Sequence, residues 1–207
     1  MAGLEQVYWL GGGSGAGKST IARRLAADHG LRVYSTDDTM ADHANRSTPA
    51  DAPYLSRFMA MDMDERWVLR SPRTMFETFH WFRGEGFDLI VEDLLRLPAD
   101  TGVIAEGFRL LPHLVEPLLA ESRRAVWLLP TPEFRQAAFA SRGTEWDLPR
   151  RTGNPELARR NLLQRDHMFT ERLAEQTKRL GLAAIETDIG ITEAEQTTRV
   201  ARAWGLV

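Results

Sequence analysis

Residues 11–20 read Gly-Gly-Gly-Ser-Gly-Ala-Gly-Lys-Ser-Thr, and within them Gly12, Gly13, Ser14, Gly15, Ala16, Gly17, Lys18 and Ser19 satisfy G-x-x-x-x-G-K-[ST] at every fixed position. The pattern has a physical logic. A polyphosphate is a dense anion and needs many donors at close range. Glycines let the backbone curl around it, and successive N–H groups then point inward as a nest. The next helix adds its positive N-terminal end. In such a loop Lys18 reaches the terminal phosphates, Ser19 offers a hydroxyl to Mg²⁺, and Thr20 stands near the first phosphate.

The flanks agree with this reading. Val7-Tyr8-Trp9-Leu10 is a short apolar strand candidate, and Ile21, Ala22 and Leu25 after the loop have helical spacing. Four further apolar runs predict strands: Leu31–Ser35, Val103–Ala105, Ala125–Leu129 and Leu182–Ile185. They lack polar alternation, as strands buried on both faces do. Strands alternating with helices predict an α/β chain: a five-stranded parallel sheet in a three-layer α/β/α sandwich.

The 207 residues suit a single domain, 1–207. Residues 39–100 are too long for a plain crossover and carry Phe58, Trp67, Phe76, Phe79, Trp81, Phe82 and Phe87. They are read as a helical, substrate-binding insertion between the second and third strands. Residues 141–165 are read as a lid region, with a long helix starting at Asn154-Pro155 and stopping at Gly181. A closing helix is expected over Thr192–Trp204, opened by a Thr192…Glu195 capping box.

Composition narrows the function. A net charge of −3 argues against a general nucleic-acid binder, and the absence of cysteine excludes disulfides and thiolate metal sites. No long apolar run suggests a membrane span, and residues 1–6 lack a signal-peptide pattern, so a cytoplasmic monomer or homodimer is expected. The five histidines are scattered and form no metal-ligand pair at i, i+4.

Two acids follow the second strand, Asp37 and Asp38, where a parallel sheet faces its ligand. Asp37 is the preferred base for an attacking hydroxyl or a metal ligand, with Asp38 in reserve. Glu106 closes the third strand as a second metal or substrate carboxylate, and Gly107 would let a ligand approach the backbone. Arg109 follows as a substrate contact or an exposed charge. Among the arginines that could stabilise a transferring phosphoryl group (Arg135, Arg142, Arg150, Arg151, Arg159, Arg160, Arg165), two stand out. Arg142 lies in the basic lid segment. Arg165 falls inside the apolar stripe Ala158, Leu162, Phe169, Leu173, so it needs an anion there: a phosphate, or a protein carboxylate such as Asp166.

Taken together, Gly-Gly-Ser-Gly-Ala-Gly-Lys-Ser-Thr (12–20), Ser-Thr-Asp-Asp (35–38), Ile-Ala-Glu-Gly (104–107) and an arginine-bearing lid resemble the P-loop small-molecule kinases. Order and spacing are most similar to the uridine kinase and nicotinamide riboside kinase group, and chloramphenicol phosphotransferase and zeta-toxin-type kinases share the plan. The resemblance implies a P-loop NTPase fold, ATP and Mg²⁺ as cofactors, and transfer of the γ-phosphate to a small-molecule hydroxyl. It places the base on Asp37, the strand-end acid on Glu106, and Ser19, Asp37 and Glu106 around the metal. By analogy of fold, adenine would lie near Thr187–Ile191. The alternative expectation is a P-loop ATPase or switch without an acceptor.

Overall fold

A computed structural model describes residues 3–141 and 148–207. Its centre is a sheet of five parallel strands: β1 (Val7–Gly12), β2 (Arg32–Ser35), β3 (Val103–Glu106), β4 (Ala125–Pro130) and β5 (Ala183–Thr187). The spatial order is β2-β3-β1-β4-β5, so β1 is central. Leu10 of β1 stands opposite Glu106 of β3, and Gly12 stands opposite Leu128 of β4. All five expected strands are present. The main shift is at β5, which starts later and runs to Thr187.

Helices follow as α1 (Lys18–His29), α2 (Met40–Arg46), α3 (Pro53–Ala60), α4 (Met63–Trp67), α5 (Pro72–Thr78), α6 (Phe87–Arg96), α7 (Pro112–Val115), α8 (Pro132–Ser141), α9 (Pro155–Leu180) and α10 (Glu193–Trp204). Side chains alternate along β1, and each face feeds its own core. Leu10, Ile104, Val126 and Leu128 pack with Ile21 and Leu25 of α1 and Val200 and Trp204 of α10. Val7, Trp9, Val103, Ala105 and Trp127 face the other way, toward Ile90, Leu94, Phe169 and Leu173. The result is a three-layer α/β/α sandwich.

Helices α2 to α6 all lie between β2 and β3, where the sequence places its insertion. This insertion shares the second core through Leu55, Phe58, Trp67, Met75, Phe79 and Trp81. Helix α9 fastens it to the sheet. Phe169 stacks on Phe82 with ring centroids 3.8 Å apart, and Asn161 Nδ2 donates to the Trp67 carbonyl at 3.1 Å and the Val68 carbonyl at 3.3 Å. The ends of α9 are those the sequence predicts: Asn154 Oδ1 accepts from the Leu157 amide, and Gly181 closes the helix in the left-handed region. Among the described residues, no helix is long and apolar enough to cross a membrane.

Candidate functional site

The glycine loop leaves the C-terminal end of the central strand and enters α1. Gly17 is the N-cap with φ 81°, a conformation that favours glycine, and it turns the chain into the helix. The first amides of α1 lack intrahelical partners by construction, so their donor ends face out of the helix N-terminus. On the loop itself, Gly13 N donates to the Leu128 carbonyl at 3.0 Å, which ties it to β4. Lys18 is buried and its Nζ donates to the Gly13 carbonyl at 2.8 Å, folding the ammonium over the loop.

Ser19 and Glu106 come together as the sequence expects. Ser19 Oγ donates to Glu106 Oε1 at 2.9 Å. Glu106 is 1% exposed, and its Oε2 is buried without a hydrogen-bond partner. Burial pushes this carboxyl above its ordinary value, while the Lys18 charge and the Ser19 and Ser35 hydroxyls pull the other way. A buried carboxylate oxygen beside a serine hydroxyl is an oxygen donor set of the kind Mg²⁺ takes. Asp37 is exposed and borders the same depression as Ser19, Ser35 and Glu106; Asp38 is exposed beside it.

From the glycine loop a cavity of about 500 Å³ runs under the insertion. One end is polar, with Lys18, Ser19, Thr20 and Asp37. The other is walled by Phe58, Trp67, Phe79, Trp81, Phe82 and Phe108, with His80 and Arg165 among them. His80 is held neutral to about pH 3, chiefly by burial and then by the charges of Arg109 and Arg165. Phe108 is a wall residue that the sequence reading missed. Its position directly after Glu106-Gly107, at the mouth of β3, is the signal that could have found it.

Arg165 has its anion inside the protein. Its Nε donates to Asp166 Oδ1 at 2.7 Å, and Nη2 lies 2.6 Å from the same oxygen. Of the two partners that the apolar stripe requires, the structure supplies the carboxylate. Arg135 Nη2 takes the other oxygen of Asp166, and its Nη1 donates to the Ser14 carbonyl at 2.6 Å. A buried chain Arg165–Asp166–Arg135–Ser14 thus joins the aromatic wall to the glycine loop. Arg142 lies outside the described residues.

Two expectations change. Gly107 has φ 147°, and a Cβ there would stand 1.7 Å from Thr36 Oγ1. Its lack of a side chain serves the β2–β3 packing rather than the approach of a ligand. Arg109 is neither exposed nor at the phosphate end. It is 2% exposed, donates to the Thr36 carbonyl at 3.2 Å and the Gly86 carbonyl at 3.1 Å, and lies 4.0 Å from the Trp81 ring centre. It braces the segment that carries Asp37 against the insertion.

A second polar cluster went unread in the sequence. Asp93 on α6 accepts from Tyr34 at 2.9 Å and Arg46 at 2.9 Å and contacts His43 Nε2 at 2.7 Å. Asp42, His43 and Asp93 have the grouping of a cation site. Arg46 also reaches Asp42 at 3.0 Å, however, so a guanidinium already supplies the positive charge. The cluster ties β2 and α2 to α6, on either side of Asp37. The adenine expectation falls on the end of β5, where the Thr187 carbonyl accepts from the Thr131 amide at 2.9 Å, beside the end of β4.

No protein-family model and no curated protein matches this chain. A solved structure of an uncharacterized protein from Eubacterium ventriosum ATCC 27560 is similar over 97% of this chain and 98% of its own, at 13% identity and a TM-score of 0.45.

Proposed function

We propose that this protein is an ATP- and Mg²⁺-dependent kinase that transfers the γ-phosphate to a hydroxyl of a small molecule. The observation that supports this best is a continuity. The glycine loop, Ser19 and Asp37 line one cavity whose other wall is aromatic, and Glu106, bonded to Ser19, lines an adjoining depression that shares Ser19 and Asp37 with it. An apolar chamber beside a carboxylate favours an organic acceptor over water.

In this reading the β- and γ-phosphates lie on the loop amides and the N-terminus of α1. Lys18 exchanges its Gly13 carbonyl for phosphate oxygens. Ser19 and Glu106, with Asp37 beside them, hold Mg²⁺, which when bound neutralises charge on the phosphates. Asp37 accepts the proton of the acceptor hydroxyl. The hydroxyl oxygen forms the new bond to phosphorus, the bond from the γ-phosphorus to the bridging oxygen breaks, and ADP leaves with that electron pair. Arg142 is the cation assigned to the transferring group, while Arg165 lies among the rings of the aromatic wall.

The test is a screen of nucleosides, sugars, vitamins and antibiotics with γ-labelled ATP, paired with calorimetry. Wild type binds MgATP, and Lys18→Ala abolishes turnover. Asp37→Asn keeps ATP affinity but loses transfer by roughly 10²–10⁴-fold, the usual worth of a general base. A flat MgATP titration of the wild type would overturn the assignment.

A further inference from the structure

The aromatic end of the cavity contains donors with nothing to bind. Arg165 is 5% exposed, and its Nη1 has no hydrogen-bond partner. Three rings surround its guanidinium, with centres 4.7 Å (Phe79), 5.1 Å (Phe82) and 5.2 Å (Trp67) away. Ring faces stabilise the charge, yet they do not satisfy an N–H lying in the guanidinium plane. The carboxylate beside it does not complete it either: Nε and Nη2 both go to Asp166 Oδ1, and Asp166 Oδ2 is held by Arg135.

The neighbours repeat the pattern. Trp67 Nε1 and His80 Nδ1 are also buried without a partner, and both residues line the same wall. A buried polar group left unpaired costs on the order of 1–3 kcal/mol, so three at one wall, two of them donors only, need an explanation. Trp67 Nε1 and the guanidinium can only donate, and His80 is neutral over the working pH range. A molecule that satisfies this wall must bring acceptor oxygens, and its body must suit aromatic faces. An anionic oxygen is favoured, because the cation here shares its one carboxylate with a second arginine.

Resting on the kinase reading, which it deepens, we propose that the acceptor is a flat, largely apolar molecule with the reacting hydroxyl at one end and a carboxylate at the other. The carboxylate docks on Arg165, with Trp67 as a further donor. The aromatic rings sandwich the body, and the hydroxyl reaches Asp37 and the phosphate end of the chamber. Arg165 thereby sets substrate specificity at the aromatic end of the chamber.

The probes are 4-(hydroxymethyl)benzoate, 6-(hydroxymethyl)-2-naphthoate and 4′-(hydroxymethyl)biphenyl-4-carboxylate, each titrated beside its primary amide into the full-length protein, with ADP titrated separately. At least one acid is expected to bind tenfold or more tightly than its amide. Arg165→Met should erase that preference while leaving ADP affinity within about twofold, and Arg165→Lys should retain part of it. Should Arg165→Met fail to fold, the acid-to-amide ratio in wild type and in Arg165→Lys decides. Equal binding of every acid and amide, or ADP binding with no response to any acid, overturns this inference and leaves the kinase reading standing. Acid binding without ADP binding does the reverse.

Discussion

Gly107 follows Glu106 at the exit of β3, where the chain packs closely against Thr36. The pattern Glu-Gly at a strand end reads as a ligand approach, but the volume beyond Gly107 belongs to Thr36. A methyl group there meets Thr36 Oγ1 and must also hold φ 147°, a region side chains rarely adopt. Gly107→Ala is therefore expected to cost about 3 kcal/mol or more in urea denaturation, with Thr36→Ala recovering only the steric share. Glu106, one residue earlier, makes the opposite case. Its place at the end of β3 beside the glycine loop was legible, because it closes the apolar run Val103–Ala105, whereas its burial depends on the packing around it. Its folded pKa is raised by burial, so as pH rises past the ordinary value of 4.5 the unfolded chain loses this proton before the folded one does. Stability then falls with rising pH until the folded carboxyl also ionises. Glu106→Gln should consequently be more stable than wild type at pH 7 and lose that advantage below about pH 4.5. Melting temperatures at the two pH values check this; an unchanged difference would show that the hydroxyls of Ser19 and Ser35 outweigh burial.

The elements were legible wherever local chemistry decides them. Asn154, Pro155 and Gly181 mark α9 because a cap, a first-turn proline and a left-handed stop act within a few residues. The same holds for Thr192 at the start of α10, whose hydroxyl accepts from the Glu195 amide at 3.2 Å. What a helix touches is a different matter. The periodicity of α9 gave its apolar stripe and offered Asp166 as one of two possible anions for Arg165, but not which of them it takes, nor that Asp166 would also take Arg135 from α8. Nor did it show that Asn161 is the latch holding α4, since an asparagine on a helix face is silent until its carbonyl partners are known. That latch is testable. Asn161→Ala leaves the Trp67 and Val68 carbonyls without their donor, and a loss of about 1–2 kcal/mol in global stability is expected. Hydrogen exchange should report the largest loss of protection in α4 and α5, the insertion helices that contact α9. A uniform loss across the sheet would mean that the asparagine supports the fold generally.

At the scale of the molecule, the insertion and the sheet share one core, and this couples their titrations. His43 and His80 both lie in the insertion, both are buried, and burial lowers the pKa of each, to about 3 for His80. A histidine held neutral when folded is protonated first in the unfolded chain, so stability is full above about pH 6.5 and is lost as pH falls below it. The loss continues toward about pH 3 for His80. Glu106 works in the opposite sense, gaining stability as pH falls toward 4.5, and Asp93, whose pKa is lowered by His43, Arg46 and Tyr34 despite its burial, adds a loss only below 3.8. Between pH 6.5 and 4.5 the histidines can therefore be isolated by working in the Glu106→Gln background, where the unfolding free energy should fall with acidification, both histidines contributing. Adding His80→Gln should make that fall shallower. Because Trp9 and Trp127 of the sheet belong to the same core as Phe79, Trp81 and Ile90 of the insertion, the slope should be the same by far-ultraviolet circular dichroism and by exchange of the β1 amides. A sheet that keeps its protection at pH 5 while the helical signal falls would show that the insertion unfolds alone. The acceptor chamber would then be a separable lobe, and its aromatic wall would owe its shape to its own packing rather than to the strand that carries the glycine loop.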